Sequence, residues 1–188
     1  MLILYTLTSD ETTERDRQIE EYIARMARGD MDAMGELYAL IRTDLFAYAL
    51  SKTGHRADAE DITHDTFVRV WQYAPAYEPQ GKPMAWILTV EYNLIRRARQ
   101  LGQRTAELEH TEHMEHSENV EEEVLQSEFL RELMRTLTPE EREVVVLHAV
   151  SGLKHREIAS LLDQPLSTVL SRYNRAIKRL QLTVKEGK

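Results

Sequence analysis

The side chains best suited to bind a ligand lie on a predicted helix near the end of the chain. Its apolar residues recur at helical spacing, at Leu166, Val169, Tyr173, Ile177 and Leu180. Its other positions carry groups that donate or accept hydrogen bonds, at Ser167, Thr168, Ser171, Arg172, Asn174, Arg175 and Lys178. Guanidinium and amide groups recognise DNA phosphates and purine edges in the major groove. The same basic face is also compatible with a helix that is simply hydrated.

A shorter predicted helix precedes the basic helix and completes a two-helix motif. Ile158, Leu161 and Leu162 mark the short helix, and the sequence 163–165 (Asp-Gln-Pro) predicts a tight turn. A short helix, a turn and a longer basic helix form the pattern of a helix-turn-helix motif. Upstream, Thr138 and Glu141 flank a Pro-Glu pair, which predicts a capping box at the start of another helix.

Composition and charge bound the class of protein. The chain has 188 residues, of which 42% are hydrophobic, so it can form packed cores. Its formal net charge is −8, so the basic helix is a local feature and general attraction to nucleic acid is not expected. The absence of cysteine excludes disulfides and thiolate metal sites, and favours a reducing, cytoplasmic location. Glycine and proline are few, which favours an all-α fold.

Four further helices are predicted in the first half of the chain. Apolar spacing places them from Ile19 to Met26, from Asp30 to just before Gly54, from Ala57 to Tyr73, and from about Met84 to Gln100. Three prolines and a glycine lie close together between the third and fourth helices, so residues 74–82 are predicted to form a loop. These four helices can bury a common core.

An acidic segment separates the two sets of helices. From Glu107 to Glu128 there is no Lys or Arg, and such a stretch buries too little apolar surface to order itself. The sequence therefore predicts two small helical domains, residues 14–104 and 123–188, joined by a flexible acidic linker, residues 105–122. Residues 1–13 are expected to be a disordered extension. Their apolar part lacks a basic flank and is too short for membrane insertion.

Three histidines in the linker raise the question of a metal site. His110, His113 and His116 are spaced by three residues among glutamates. Residues at this spacing drift around a helix, and the segment need not be helical. A solvated linker is therefore the preferred interpretation, and no metal or other cofactor is predicted.

Two parts of the sequence resemble the same protein family. The segments 137–147, 152–159, 165–172 and 175–180 are similar to the promoter-binding fourth region of bacterial sigma factors. The segment Asp58–Phe67, with Val70, Trp71, Gly81, Trp86 and Asn93, is similar to their second region. The order of the two matches, without a third domain between them, resembles the extracytoplasmic-function subclass.

The resemblance implies a role and a set of contacts. It implies a transcription initiation factor, without catalytic activity, that binds core RNA polymerase and promoter DNA and is controlled by an anti-sigma factor. Polymerase would bind Asp58, Glu60, Asp61 and Asp65. The minus-ten element would be melted and bound by Tyr77, Trp86, Asn93, Arg96, Arg97 and Arg99. The minus-thirty-five element would be read by the basic helix described above, through Ser167, Thr168, Ser171, Arg172, Asn174, Arg175 and Lys178.

The aromatic candidates are not equivalent. Tyr73, Tyr77 and Trp86 could each stack on an unpaired base. Trp86 is expected to belong to the core, so Tyr77, in the loop, is the preferred stacking residue.

Three positions depart from the family pattern. Arg97 stands where the family usually has an acidic residue, and Asp163 stands where the turn usually has glycine. Asp tolerates the left-handed backbone conformation better than most residues. Leu170 occupies a position that is commonly basic, which removes one expected phosphate contact.

Two alternative functions remain open from sequence. A stand-alone helix-turn-helix regulator would bind duplex DNA as a dimer, without polymerase. A helical interaction protein would bind a partner and have no role at DNA. Charge reversal at Arg172 and Arg175 should abolish the activity of a promoter-binding protein and leave a pure interaction protein intact.

Overall fold

The computed structural model describes residues 9–106 and 134–186, and confirms the predicted all-α class. The first helical unit contains α1 (Ser9–Met26), α2 (Met31–Thr53), α3 (Arg56–Tyr73), a 3₁₀ turn (Ala74–Ala76) and α4 (Pro83–Ala106). The second helical unit contains α5 (Pro139–Ala149), α6 (His155–Leu161) and α7 (Leu166–Glu186). Within these ranges, no helix is both long and apolar enough to cross a membrane.

Local capping chemistry sets several helix ends where the sequence predicts them. The Asp30 carboxylate accepts hydrogen bonds from the N–H groups of Asp32 and Ala33 and starts α2. Gly54, with φ of 75°, ends that helix in the left-handed conformation. Thr138 and Glu141 form the predicted capping box of α5, each side chain accepting from the other's backbone N–H at 3.3 and 3.2 Å.

The first helix begins earlier than predicted. It starts at Ser9, inside the range 1–13 that the sequence assigned to a disordered extension. The sequence prediction followed apolar periodicity, which begins only at Ile19, so it missed the start of the helix. At the other boundary α4 runs on to Ala106. The predicted linker histidines and the rest of the acidic segment lie outside the described residues.

The first unit has a dense apolar core between its four helices. Its fully buried side chains include Ile19 and Ile23 of α1, Leu37, Ile41 and Leu45 of α2, Phe67 of α3, and Ile87 and Leu88 of α4. On α1 and α2 these residues recur every four positions, which turns one face of each helix inward. The outward faces of α3 and α4 are thereby fixed relative to each other.

The two helical units pack against each other, α5 on α2 and α6 on α4. Val144, Val146 and Leu147 of the second unit belong to the same apolar cluster as the core of the first. At the contact, the buried carboxylate of Glu143 accepts a hydrogen bond from the Tyr48 hydroxyl at 3.2 Å. It also forms an ion pair with Lys52 Nζ at 2.8 Å. The sequence predicted two domains, but not this junction between them.

Glu91 is a fully buried carboxyl group whose two oxygens have no hydrogen-bond partner in the described part of the chain. Burial, and secondarily the charge of Asp44, raises its pKa well above the usual value. The wild type therefore loses stability as the pH rises from the usual glutamate pKa towards the pKa in the folded state. Glu91→Met should remove this loss and raise the free energy of unfolding at pH 8 by about 1 to 3 kcal/mol.

Urea denaturation at pH 5 and pH 8 measures this effect. Between pH 5 and pH 8, the free energy of unfolding should fall more for the wild type than for Glu91→Met. A variant less stable than the wild type at pH 8 would show that the carboxylate has a stabilising partner.

Candidate nucleic-acid and protein interfaces

A cavity of about 440 Å³ lies between the outer faces of α3 and α4. Its lining residues are Arg69 and Tyr73 of α3, with Trp86, Thr89, Val90, Asn93, Leu94 and Arg97 of α4. The two positions on α3 are four residues apart, and those on α4 form two adjacent rows with a spacing of four, 86/90/94 and 89/93/97, which places them on one side of each helix. The cavity therefore follows from the packing of two amphipathic helices.

The chemistry of this cavity suits an unpaired nucleotide. Tyr73, 47% exposed, and the half-buried Trp86 supply aromatic surface on which a base can stack. Arg69 and Arg97 supply positive charge for the backbone, and Asn93 supplies both a donor and an acceptor. None of the residues that line the cavity is acidic, so the site does not repel phosphate from within.

Tyr77 has a different position from the one expected for the main stacking residue. Its ring packs against Trp86 with centroids 4.6 Å apart, and its hydroxyl donates to the Glu20 carboxylate at 3.2 Å. Burial and the Glu20 charge raise its pKa. Glu20 also accepts from the Gly81 N–H at 2.9 Å, which anchors the loop to α1. Tyr77 thus supports Trp86 and is not among the residues that line the cavity.

The other predicted minus-ten residues divide into two groups. Trp86, Asn93 and Arg97 line the cavity, whereas Arg96 and Arg99 are exposed elsewhere on α4. The Arg99 guanidinium donates to the Lys52 carbonyl at 2.6 Å, at the end of α2. Arg69 and Thr89 were missed from sequence. Arg69 lies four positions before Tyr73, and Thr89 lies four positions before Asn93. This helical spacing was the signal that could have predicted them.

The acidic residues of α3 form an exposed surface. Asp58, Asp61 and Asp65 recur at intervals of three and four, so they share one face of the helix. Glu60 projects from another side, where it forms an ion pair with Arg56 at 2.8 Å. Val68, which is 38% exposed, follows Asp61 and Asp65 on the same face. We call Asp58, Asp61, Asp65 and Val68 the α3 face.

The predicted DNA-binding side chains of α7 are mostly exposed. Ser167, Ser171, Asn174 and Lys178 lie on its outer face, and Thr168 is half-buried. On the inner face Val169 and Ala176 are fully buried, so the rotation of α7 about its axis is fixed by packing. Asp163 adopts φ of 51° in the turn before α7, as expected for a residue in the usual glycine position.

Three arginines of α7 have partners within the second unit. Arg172 donates to the Gln164 side chain. Arg175 and Arg179 lie 3.5 and 3.0 Å from the buried Glu141 carboxylate. Arg175 also donates to Ser171 Oγ at 3.0 Å. These contacts hold the basic side of α7 in a defined geometry.

Two family models match the chain in separate places. Sigma-70 region 2 matches residues 37–105, which include α3, the cavity and most of α4. Sigma-70 region 4 matches residues 128–180, which include the helix-turn-helix formed by α6 and α7. Together the two matches span more than half of the chain.

Curated relatives have the same family assignment. The ECF RNA polymerase sigma factor BldN of Streptomyces coelicolor is 29% identical over 167 residues, covering 85% of this chain and 63% of BldN. The ECF RNA polymerase sigma factor SigE of Mycolicibacterium smegmatis is 30% identical over 165 residues, covering 82% of this chain and 64% of SigE. The chain thus spans somewhat less than two thirds of the length of these two relatives.

Solved structures share the fold. The sigma factor RpoE, in complex with the anti-sigma factor NepR from Bartonella quintana, superposes with a TM-score of 0.66 at 23% identity, covering 80% of this chain and 96% of RpoE. CnrH, in complex with the cytosolic domain of CnrY, superposes with a TM-score of 0.60 at 24% identity, covering 91% and 99%. With both sigma-70 regions matched in order, the chain belongs to the sigma-70 family, in its extracytoplasmic-function (ECF) group.

Proposed function

We propose that this protein is a transcription initiation factor that binds core RNA polymerase and directs it to specific promoters. The first helical unit would melt the minus-ten element, and α7 would read the minus-thirty-five element. The observation that carries this proposal is the cavity between α3 and α4, whose aromatic and cationic walls suit a base that has left the stack.

The α3 face supports a polymerase contact. Three carboxylates beside an exposed valine combine charge with apolar surface, as protein interfaces commonly do. The carboxylates would pair with basic side chains of polymerase, and their field would steer the encounter. The face lies on α3, the helix that also supplies Arg69 and Tyr73 to the cavity. Docking through it would therefore place the cavity at a fixed distance from polymerase.

The overall charge fits a factor that acts on DNA only when it is bound to polymerase. With a net charge of −8, the free chain is repelled by duplex DNA at long range, and local basic groups act only after docking. The chain itself performs no chemical step in this function, because phosphodiester synthesis belongs to the polymerase. The factor works where transcription occurs, in the cytoplasm.

An anti-sigma factor is the expected inhibitor. RpoE in its solved complex is bound to the anti-sigma factor NepR. By its similarity in fold and family, this chain is proposed to bind an anti-sigma factor of its own, which would cover surfaces used for polymerase or DNA.

Reversing two charges of the α3 face tests the function. Asp61→Arg with Asp65→Arg should weaken binding to bacterial core RNA polymerase by about 30-fold, or about 1 kcal/mol for each reversed contact. Both side chains are exposed, so the fold should survive. Size-exclusion co-elution and a titration of labelled protein with core polymerase provide the measurement.

A matched variant controls for total charge. Glu21→Arg with Glu78→Arg changes the net charge equally at two exposed positions outside the α3 face, and should bind like the wild type. Failure of the folded wild type to bind core polymerase would refute the proposal and favour a stand-alone regulator.

A further inference from the structure

Leu170 is an exposed leucine within the otherwise polar outer face of α7. Its side chain is 39% exposed, and it belongs to neither apolar cluster of the described chain. Ser167 precedes it by three positions and Asn174 follows it by four, so all three share one face of the helix. Removing the leucine side chain would therefore cost the fold little.

Leu170 lies in the part of α7 that is expected to contact bases. In helix-turn-helix proteins the first residues of the second helix contact base edges. Leu170 is the fifth residue of α7, which begins at Leu166. Burial of Val169 directs the neighbouring Leu170 outward, since successive helical residues are about 100° apart.

The chemistry of an exposed leucine at this place selects one base feature. Ser167 and Asn174 can bind polar base edges, but an aliphatic side chain gains most from apolar surface in the groove. The apolar group that the major groove displays is the C5 methyl of thymine. We infer that Leu170 is a specificity-determining residue, which selects a thymine in the minus-thirty-five element by contact with this methyl group. This inference rests on the proposed function.

A second exposed leucine on the same helix provides the control. Leu182 is 58% exposed but lies twelve residues later, about 18 Å further along the axis at 1.5 Å per residue. It is thus beyond the part of α7 that can reach the bases contacted by Ser167, Leu170 and Asn174. Leu182→Ala should leave base preference unchanged, although it removes more exposed apolar surface than Leu170→Ala.

The experiment uses the full chain bound to bacterial core RNA polymerase. Binding sites are selected from a randomised duplex DNA library with the wild type, Leu170→Ala and Leu182→Ala. Each thymine of the minus-thirty-five element selected by the wild type is then replaced by uracil, which removes only the C5 methyl. At one thymine the wild type should lose about fourfold in affinity, corresponding to one buried methyl group. Leu170→Ala should show no loss there, and Leu182→Ala should behave like the wild type.

Two failures have different meanings. If the wild-type holoenzyme selects a site but no thymine responds to uracil, or if Leu170→Ala responds like the wild type, the role of Leu170 is refuted and the proposed function stands. If the wild-type holoenzyme selects no sequence at all, the proposed function fails and the role of Leu170 fails with it.

Discussion

Replacing Glu143 by alanine should lower the free energy of unfolding by about 3 kcal/mol and separate the two helical units. Glu143 receives both the Lys52 ammonium group and the Tyr48 hydroxyl in a contact that is almost entirely buried. Removing one member of a buried ion pair costs about 3 to 5 kcal/mol, because the remaining charge is left without a partner. We expect the lower end, because the flexible lysine stem lets the charge reach water.

Two measurements distinguish separation of the units from general unfolding. Urea denaturation gives the loss of stability. The chain has no cysteine, so single cysteines introduced at the exposed positions Ala57 and Ser160 can carry a donor and an acceptor dye. Energy transfer between them should fall in Glu143→Ala under conditions where the helical content is unchanged.

The neighbouring Glu140 is a suitable control. It is exposed on the same helix, and Glu140→Ala removes an equal charge while leaving the Lys52–Glu143 ion pair in place, although Glu140 also attracts the Lys52 charge. A double variant, Lys52→Met with Glu143→Met, should lose less stability than the two single variants together, because no buried charge remains. Equal stability and equal energy transfer in Glu143→Ala and the wild type would contradict the importance of this junction.

The accuracy of the sequence predictions depended on the distance between interacting residues. The starts of α2 and α5 and the end of α2 were predictable, because Asp30, Thr138 and Gly54 act on backbone groups within a few positions. The junction through Glu143 was not, because its Tyr48 partner lies 95 positions away and either residue alone fits an ordinary helix. A carboxylate in an acidic helix gives no sign that it will be buried.

The candidate site shows the same division. Trp86 and Asn93 were identified through the family pattern, and Arg97 as a basic candidate that departs from it; all three line the cavity. Trp86 was expected in the core, and it is half-buried: it packs against the core cluster and also lines the cavity. Tyr77 was the preferred stacking residue, but its hydroxyl binds Glu20, 57 positions away, and it is not among the residues that line the cavity. Which aromatic side chain remains free to stack on a base depends on tertiary packing. The spacing of apolar residues in the sequence carries no information about that packing.

Removing both aromatic walls of the cavity should reduce promoter opening at least about 30-fold. Tyr73→Ala with Trp86→Ala deletes the two rings on which an unpaired base can stack, and each stacking contact is worth about 1 to 3 kcal/mol. Of the two single variants, Tyr73→Ala is the clearer test, because Trp86 also packs against Tyr77, with ring centroids 4.6 Å apart. Trp86→Phe retains an aromatic face, so it should keep most of the promoter-opening activity that Trp86→Ala loses. Open-complex formation by the reconstituted holoenzyme on duplex promoter DNA is the measurement.

A promoter with an unpaired minus-ten element separates melting from other defects. If the cavity stabilises the base after it leaves the stack, mismatches that leave the element open should bring the double variant to within about threefold of the wild type. Tyr38→Ala removes an aromatic ring that is 42% exposed but lies outside the cavity, and should open duplex DNA normally. An equal defect on paired and unpaired templates would place the loss in polymerase binding or folding. In that case the cavity would not be the site at which this protein holds the melted strand.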